Sequence, residues 1–303
     1  MQAQKKAYLY TILAVFFWST IASAFKISLN YMDTLSLLFY ASFVSTAALF
    51  IYLVFSNKLH LLKAFSKKDY LYSALLGFLN PFLYYIILLK AYYILPAQMA
   101  QPINFLWPIT LVLLSIPLLK QKIHKKDIIS ILISFTGVVI ISTRGTFNTI
   151  KSTEFLGVSL ALISTIIWAL FWIYNTRDKR DEVVRMFLNF LFGFIFITPV
   201  MLLFTKSPIP KIQGLMGAVY VGLFEMGITF TLWLKALKLS KSTAHVANLI
   251  FIVPFLSLVI INFVVGEVIL LSTIIGAIFI VSGIVLQKVE ISCRTVTGKV
   301  GQQ

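Results

Sequence analysis

Acidic residues are scarce in this chain: 12% of its 303 residues are charged, and only ten are Asp or Glu. Cysteine is scarcer still. The single Cys293 excludes a disulfide within these residues and leaves the redox compartment unread. No stretch reads as a soluble domain. At 59% hydrophobic residues and a mean hydropathy of +0.94, the composition overrules the two soluble domains that length alone would suggest. The sequence also has no Gly-rich phosphate loop joined to a nucleotide domain, no metal-ligand cluster and no Ser/His/Asp or Cys/His set in its apolar runs. These absences argue against ATP-driven chemistry and against catalysis, and no metal or cofactor is expected.

What is present is a series of apolar windows of about 20 residues, the length that crosses about 30 Å of hydrocarbon. Ten recur: Tyr8–Ile27, Thr34–Phe55, Tyr70–Leu89, Ala97–Pro117, Ile128–Thr143, Phe155–Asn175, Val183–Phe204, Gln213–Leu234, Thr243–Val265 and Val268–Gln287. The expected fold class is all-α, a polytopic membrane protein in a lipid bilayer. Lys5, Lys6 and Ala22-Ser23-Ala24 imitate a signal peptide with its cleavage site. Cleavage would leave an odd helix without a counterpart, so the segment is expected to be retained.

The formal charge of +16 invites a nucleic-acid reading, which the placement of the basic residues excludes. With the N-terminus in the cytoplasm, all but Lys26, Lys90, Arg144, Lys151, Lys206 and Lys211 of the 26 Lys and Arg lie in cytoplasmic segments. They are spread over several short connections and form no single basic stripe. Both termini are then cytoplasmic, and the expected location is the plasma (cell inner) membrane.

The chain repeats itself. Leu76-Gly77-Phe78-Leu79-Asn80 through Leu89-Lys90-Ala91 matches Val221-Gly222-Leu223-Phe224-Glu225 through Leu234-Lys235-Ala236 at a constant offset. Gly137-Val138-Val139 matches Gly283-Ile284-Val285, and Trp107-Pro108 aligns near Val253-Pro254. Two five-helix halves are expected, residues 1–143 and 154–287, with a cytoplasmic tail at 288–303. Five being odd, the second half must enter the membrane the other way up, and that inverted arrangement belongs to secondary transporters. Their sites lie near the midplane on broken helices, and Pro81, Pro102, Pro108 and Pro254 fall inside the third, fourth and ninth windows.

Glu225 is the one acidic residue in the middle of an apolar window. A charge at that depth costs about 2.5–3.5 kcal/mol on insertion scales, which marks it as functional by default. At helical spacing Gly222, Glu225, Thr229 and Trp233 share a face, as do Asn80 and Tyr84. Counting about 1.5 Å per residue puts Asn80 and Glu225 at one level, about 15 Å deep. Gln98, Gln101 and Asn104 form a polar row on the fourth helix, followed by Trp107, and this row cannot face lipid without cost. Asn248 is a better-placed neighbour for Glu225 than His245, which lies nearer the helix start. Trp18, Trp107 and Trp168 are candidates to line a cavity, and Lys26 and Lys90 are expected to snorkel. Two roles fit Glu225: exchanging a proton in each cycle, or pairing as an anion with a substrate ammonium.

The chain resembles ten-helix members of the drug/metabolite transporter superfamily with two EamA-type repeats. The resemblance rests on Phe17-Trp18 and Lys26, Asn104-Phe105-Leu106-Trp107-Pro108, Gly222-Leu223-Phe224 through Leu232-Trp233-Leu234-Lys235-Ala236-Leu237, and Pro254 with Gly266-Glu267. It implies a central cavity lined by the first, third, fourth, sixth, eighth and ninth helices, with a small metabolite such as an amino acid, and protons, as partners. Val253 and Lys120-Gln121 depart from the family pattern, which has Glu before the proline and Gly-Glu at the second place. The expected function is secondary transport, in the direction of export. A lipid-modifying membrane enzyme and a passive pore or partner subunit stand as alternatives.

Overall fold

The computed structural model describes residues 2–120, 125–144, 152–205, 210–240 and 249–297. Among these the chain makes ten helical passes. They are α1 (Gln2–Ser28), α2 (Thr34–Phe55), α3 (Lys67–Ile94), α4 (Ala97–Leu119), α5 (Lys125–Ser142), α6 (Ser152–Arg177), α7 (Glu182–Phe204), α8 (Ile212–Val221, Gly222–Gly227 and Ile228–Leu239), α9 (Leu249–Val265) and α10 (Leu271–Thr297). Seven are long and apolar enough to cross a membrane, and the apolar runs of α9 and α10 are shorter. Large hydrophobics such as Phe55, Leu71, Leu203 and Phe263 are exposed on the outside of the bundle, as a lipid-facing surface requires.

The scarce acids sit largely at helix starts, where four backbone N–H groups lack partners. Asp33 accepts from Leu35 and Ser36 at the start of α2, Asp69 completes a capping box with Ser66 at α3, and Asp181 accepts from Val183 and Val184 at α7. Asp181 also pairs with Lys58 at 2.6 Å, and Asp178 with Arg180 at 2.5 Å. Partial burial, the largest single influence, pushes both carboxyls up, but hydrogen bonds from the basic side chains and from backbone amides, together with the attraction of the neighbouring cations, outweigh it in sum and hold each below the usual range. Arg180 further donates to Asp69 O and Ser73 Oγ, both at 2.8 Å, and so ties the α6–α7 connection to the start of α3.

The passes pair across the chain in opposite directions, as an odd number per half demands. Between α5 and α10, a Cβ at Gly137 would lie 2.5 Å from Gly276 O, and Ser134 Oγ donates to Ile280 O at 3.2 Å. Rising numbers on one helix therefore meet falling numbers on the other, with backbones in contact through small residues. In α1 and α8, Thr20 meets Tyr220 at 2.7 Å, and Phe17 stacks on Phe224 at 4.5 Å. In α3 and α6, Tyr72 donates to Tyr174 O at 2.8 Å, and Tyr84 lies 4.6 Å from Trp168.

The helix breaks obey the same correspondence. In α3, Phe78–Leu83 is a π turn in which Asn80 leaves helical geometry (φ −147°, ψ 120°) and its bond to Pro81 is cis. In α8, Gly222–Gly227 is a π turn that carries Glu225. α4 is interrupted between Asn104 and Trp107, and the described part of α9 runs from a 3-10 turn (Leu249–Ile252) to a π turn (Ile261–Val265). Proline accounts for the breaks in α3 and α4. The break in α8 contains no proline; Gly222 and Gly227 stand at its two ends, and Gly227 leaves helical geometry (φ −105°, ψ −85°).

Candidate functional site

The broken segments of α4 and α8, and the regular helix that follows the break in α3, surround a cavity of about 100 Å³ together with α1, α6 and α9. That volume holds several waters or a small solute. Glu225 lines it at 8% exposure, which is possible because the π turn displaces the side chain from a regular helical position. The carbonyl of Phe224, released by the π turn, accepts the Thr229 hydroxyl. Gly222 lets the same turn approach Ala41 O on α2.

Glu225 Oε1 accepts a hydrogen bond from the buried Tyr85 hydroxyl at 2.9 Å, joining α8 to α3. Beside it, Tyr84 donates to Asn104 Oδ1 at 3.3 Å, and Asn104 Nδ2 donates to Ser164 Oγ on α6 at 2.9 Å. Tyr92 donates to Gln101 Oε1 at 2.5 Å. Trp18, Trp107, Trp168, Trp172 and Trp233 add aromatic wall. The Trp18 ring lies 5.4 Å from Trp233, and Trp168 lies 6.0 Å from Trp172.

Of the residues singled out in the sequence, Glu225, Tyr84, Gln101, Asn104, Trp107, Trp18 and Trp168 all line this cavity. Asn80 and Thr229 do not. Asn80 is fully buried, and neither atom of its amide has a hydrogen-bond partner among the described residues. Its backbone is extended, so the helical spacing that aligned it with Tyr84 does not hold there, and the adjoining Pro81 packs against Gly193 of α7. Thr229 is spent on the Phe224 carbonyl. Asn248, like His245, lies outside the described residues. Gln98, placed in the same polar row as Gln101, serves a different purpose described below. Tyr85, Tyr92 and Trp172 escaped the sequence reading, because aromatic residues in apolar helices carry no local mark of which face they occupy.

The end of the bundle opposite the N-terminus is tied shut by three polar side chains. Lys26 does not snorkel: its ammonium donates to Tyr92 O at 2.9 Å and Leu95 O at 2.7 Å, the free carbonyls at the end of α3. Glu267 reaches from the α9–α10 connection to the start of α4, accepting from Ala97 N at 2.7 Å and Gln98 N at 3.0 Å. A carboxylate there is also favoured by the helix dipole. Gln98 returns the contact, donating to Val268 O at 2.8 Å and accepting from Leu270 N and Thr273 Oγ1 at 3.0 and 3.1 Å. Losing a cap of this kind costs about 0.5–2 kcal/mol. Glu267→Ala is therefore expected to speed hydrogen exchange of the Ala97 and Gln98 amides by roughly 3- to 30-fold, read by mass spectrometry in detergent. Unchanged protection would show that the carboxylate is not what holds this end.

Comparisons with known proteins converge on one family. The model of the EamA-like transporter family matches residues 5–143 and again residues 155–287. An uncharacterized transporter of Clostridium kluyveri is 29% identical over 184 residues, 56% of each chain. An uncharacterized transporter of Acidianus ambivalens is 31% identical over 171 residues, 54% of this chain and 63% of that protein. The chain thus spans little more than half the length of these two relatives. An uncharacterized transporter of Archaeoglobus fulgidus is 22% identical over 295 residues, 95% of this chain and 99% of that one. One crystal structure shares the fold, with a TM-score of 0.66 at 20% identity over 94% of this chain and 97% of its own. Two family matches laid end to end, over ten passes with breaks at corresponding places, make this integral membrane protein a member of the EamA-like transporter family.

Proposed function

We propose that this protein is a secondary transporter, and not an enzyme, that exports small metabolites such as amino acids by alternating access. Glu225 is its substrate-binding or proton-coupling residue. The observation that carries this reading is a lone carboxylate in a cavity between the two halves of a repeat. Tyr85, from the first half, holds Glu225, from the second. The halves proposed are residues 1–143 and 154–287, with 288–303 as a tail.

The contacts at the breaks support a relation between the halves. Gly77 on α3 approaches the Asn189 carbonyl on α7, and Gly222 on α8 approaches the Ala41 carbonyl on α2. Each contact is close to the other with the halves exchanged, which supports two related halves able to exchange conformations around Glu225. With the termini in the cytoplasm, the end tied by Lys26, Glu267 and Gln98 is the outer gate, and the described conformation is closed on that side. Counterflow in proteoliposomes tests the reading. Vesicles preloaded with unlabelled amino acids should accumulate the labelled solute transiently and saturably, with a rate that differs between two values of pH. Flux linear in concentration, with no counterflow, would identify a pore instead.

A further inference from the structure

From the makeup of the cavity we infer that it selects solutes carrying an ammonium group on an apolar, aromatic-sized body and discriminates against free carboxylates. The inference rests on the proposed function in taking this cavity as the solute site, and within small metabolites it favours amines and amino-acid amides over the free amino acids named there.

Three observations lead to it. Among the described residues, Glu225 is the one charged side chain lining the cavity, and no described Lys, Arg or His joins it there. The nearest cation on α1, Lys26, is bound to two carbonyls of α3 and is committed to closing the bundle. A carboxylate brought into this space meets a like charge and no compensating cation, whereas an ammonium meets its counter-ion. Secondly, among the described residues Tyr85 is the sole hydrogen-bond partner of Glu225, and it engages Oε1. The carboxylate keeps acceptor capacity, and an ammonium brings three donors. Thirdly, the remaining wall is apolar and rich in aromatic residues, Trp18, Trp168, Trp172 and Trp233 among them, and indole rings attract a cation and cover an apolar body. The polar side chains are largely spent on one another. Tyr84 is used by Asn104, Asn104 by Ser164, and Tyr92 by Gln101, so the donors left over among the described residues, Gln101 Nε2 and indole N–H groups such as those of Trp168 and Trp172, are neutral and bring no positive charge to offset a carboxylate beside Glu225.

A matched series isolates the charge. Phenethylamine, phenylalanine amide, phenylalanine and 3-phenylpropionate share one ring and differ in the ammonium and the carboxylate. Titrated by tryptophan fluorescence against the purified full chain in nanodiscs at neutral pH, the amine and the amide should bind at least roughly tenfold more tightly than phenylalanine, the scale of one like-charge contact in a buried site. Phenylpropionate should not bind measurably. In Glu225→Gln the preference should collapse, and in Glu225→Asp it should persist. Phenylalanine binding as tightly as phenethylamine in the wild-type chain would overturn the inference without recourse to any variant. So would a Glu225→Gln protein that keeps its monodisperse elution and the full preference for amines. Counterflow of the same four compounds separates this inference from the transport reading. Amine binding without counterflow defeats transport and leaves the selectivity standing, while counterflow of phenylalanine with no amine binding does the reverse.

Discussion

Glu225→Gln is expected to reduce saturable counterflow by roughly 10- to 100-fold, the equivalent of one lost charge-assisted contact worth about 1.5–3 kcal/mol. The residual flux should lose its dependence on pH, because the side chain can no longer gain or lose a proton. The substitution is nearly isosteric, and the Gln carbonyl can still accept from the Tyr85 hydroxyl that now lies 2.9 Å from Glu225 Oε1. Folding should therefore be preserved or improved, since removing a buried charge relieves a desolvation cost. Rates are to be measured in proteoliposomes alongside the thermal unfolding midpoint in detergent. A variant with wild-type rate and wild-type pH profile would remove Glu225 from the mechanism, and the central proposal with it.

The largest structural effect should come from Gly222→Val. A Cβ there would lie 2.5 Å from the Ala41 carbonyl oxygen and 2.8 Å from the Val44 Cβ. The first neighbour is backbone in the middle of α2, so no rotamer change relieves the clash, and α8 has to move away from α2. Overpacking of this kind costs about 1–3 kcal/mol, and more when backbone must yield. The unfolding midpoint should fall by several degrees. Gly222 also begins the π turn that carries Glu225, so displacement of α8 pulls the carboxylate away from Tyr85. Transport should then fail even in the fraction that remains folded. Wild-type stability together with wild-type flux would mean that the two helices are not held at this distance in the bilayer.

These two residues illustrate how much was legible in advance. Gly222 and Glu225 stood out because a matching stretch occurs earlier in the chain and because a carboxylate in an apolar window is energetically conspicuous. The aligned partner, Asn80, looked equally well placed by helical counting. Its side chain is instead buried away from the cavity, because the backbone abandons the helix at that residue. Lys26 and Glu267 stood out only as residues that carry the family resemblance, with Lys26 expected to snorkel. Their roles as ties depend on the free carbonyls of α3 and the free amides of α4, contributed by residues far away in sequence. Tyr85 is one of 13 tyrosines in an aromatic-rich chain, and nothing local distinguishes the one that reaches the acid.

Hydropathy, the pattern of basic residues and internal similarity are written along the chain, so pass number, membrane insertion and the two-part plan needed no coordinates. Burial of the acid was also foreseeable, since its neighbours are apolar on both sides. Which groups surround it was decided only by the packing of α1, α3, α4, α6 and α9 around the broken α8. Contacts between distant helices depend on where each backbone departs from regular geometry, and the glycines at the ends of the α8 turn permit that departure without saying which neighbours the turned side chains will meet.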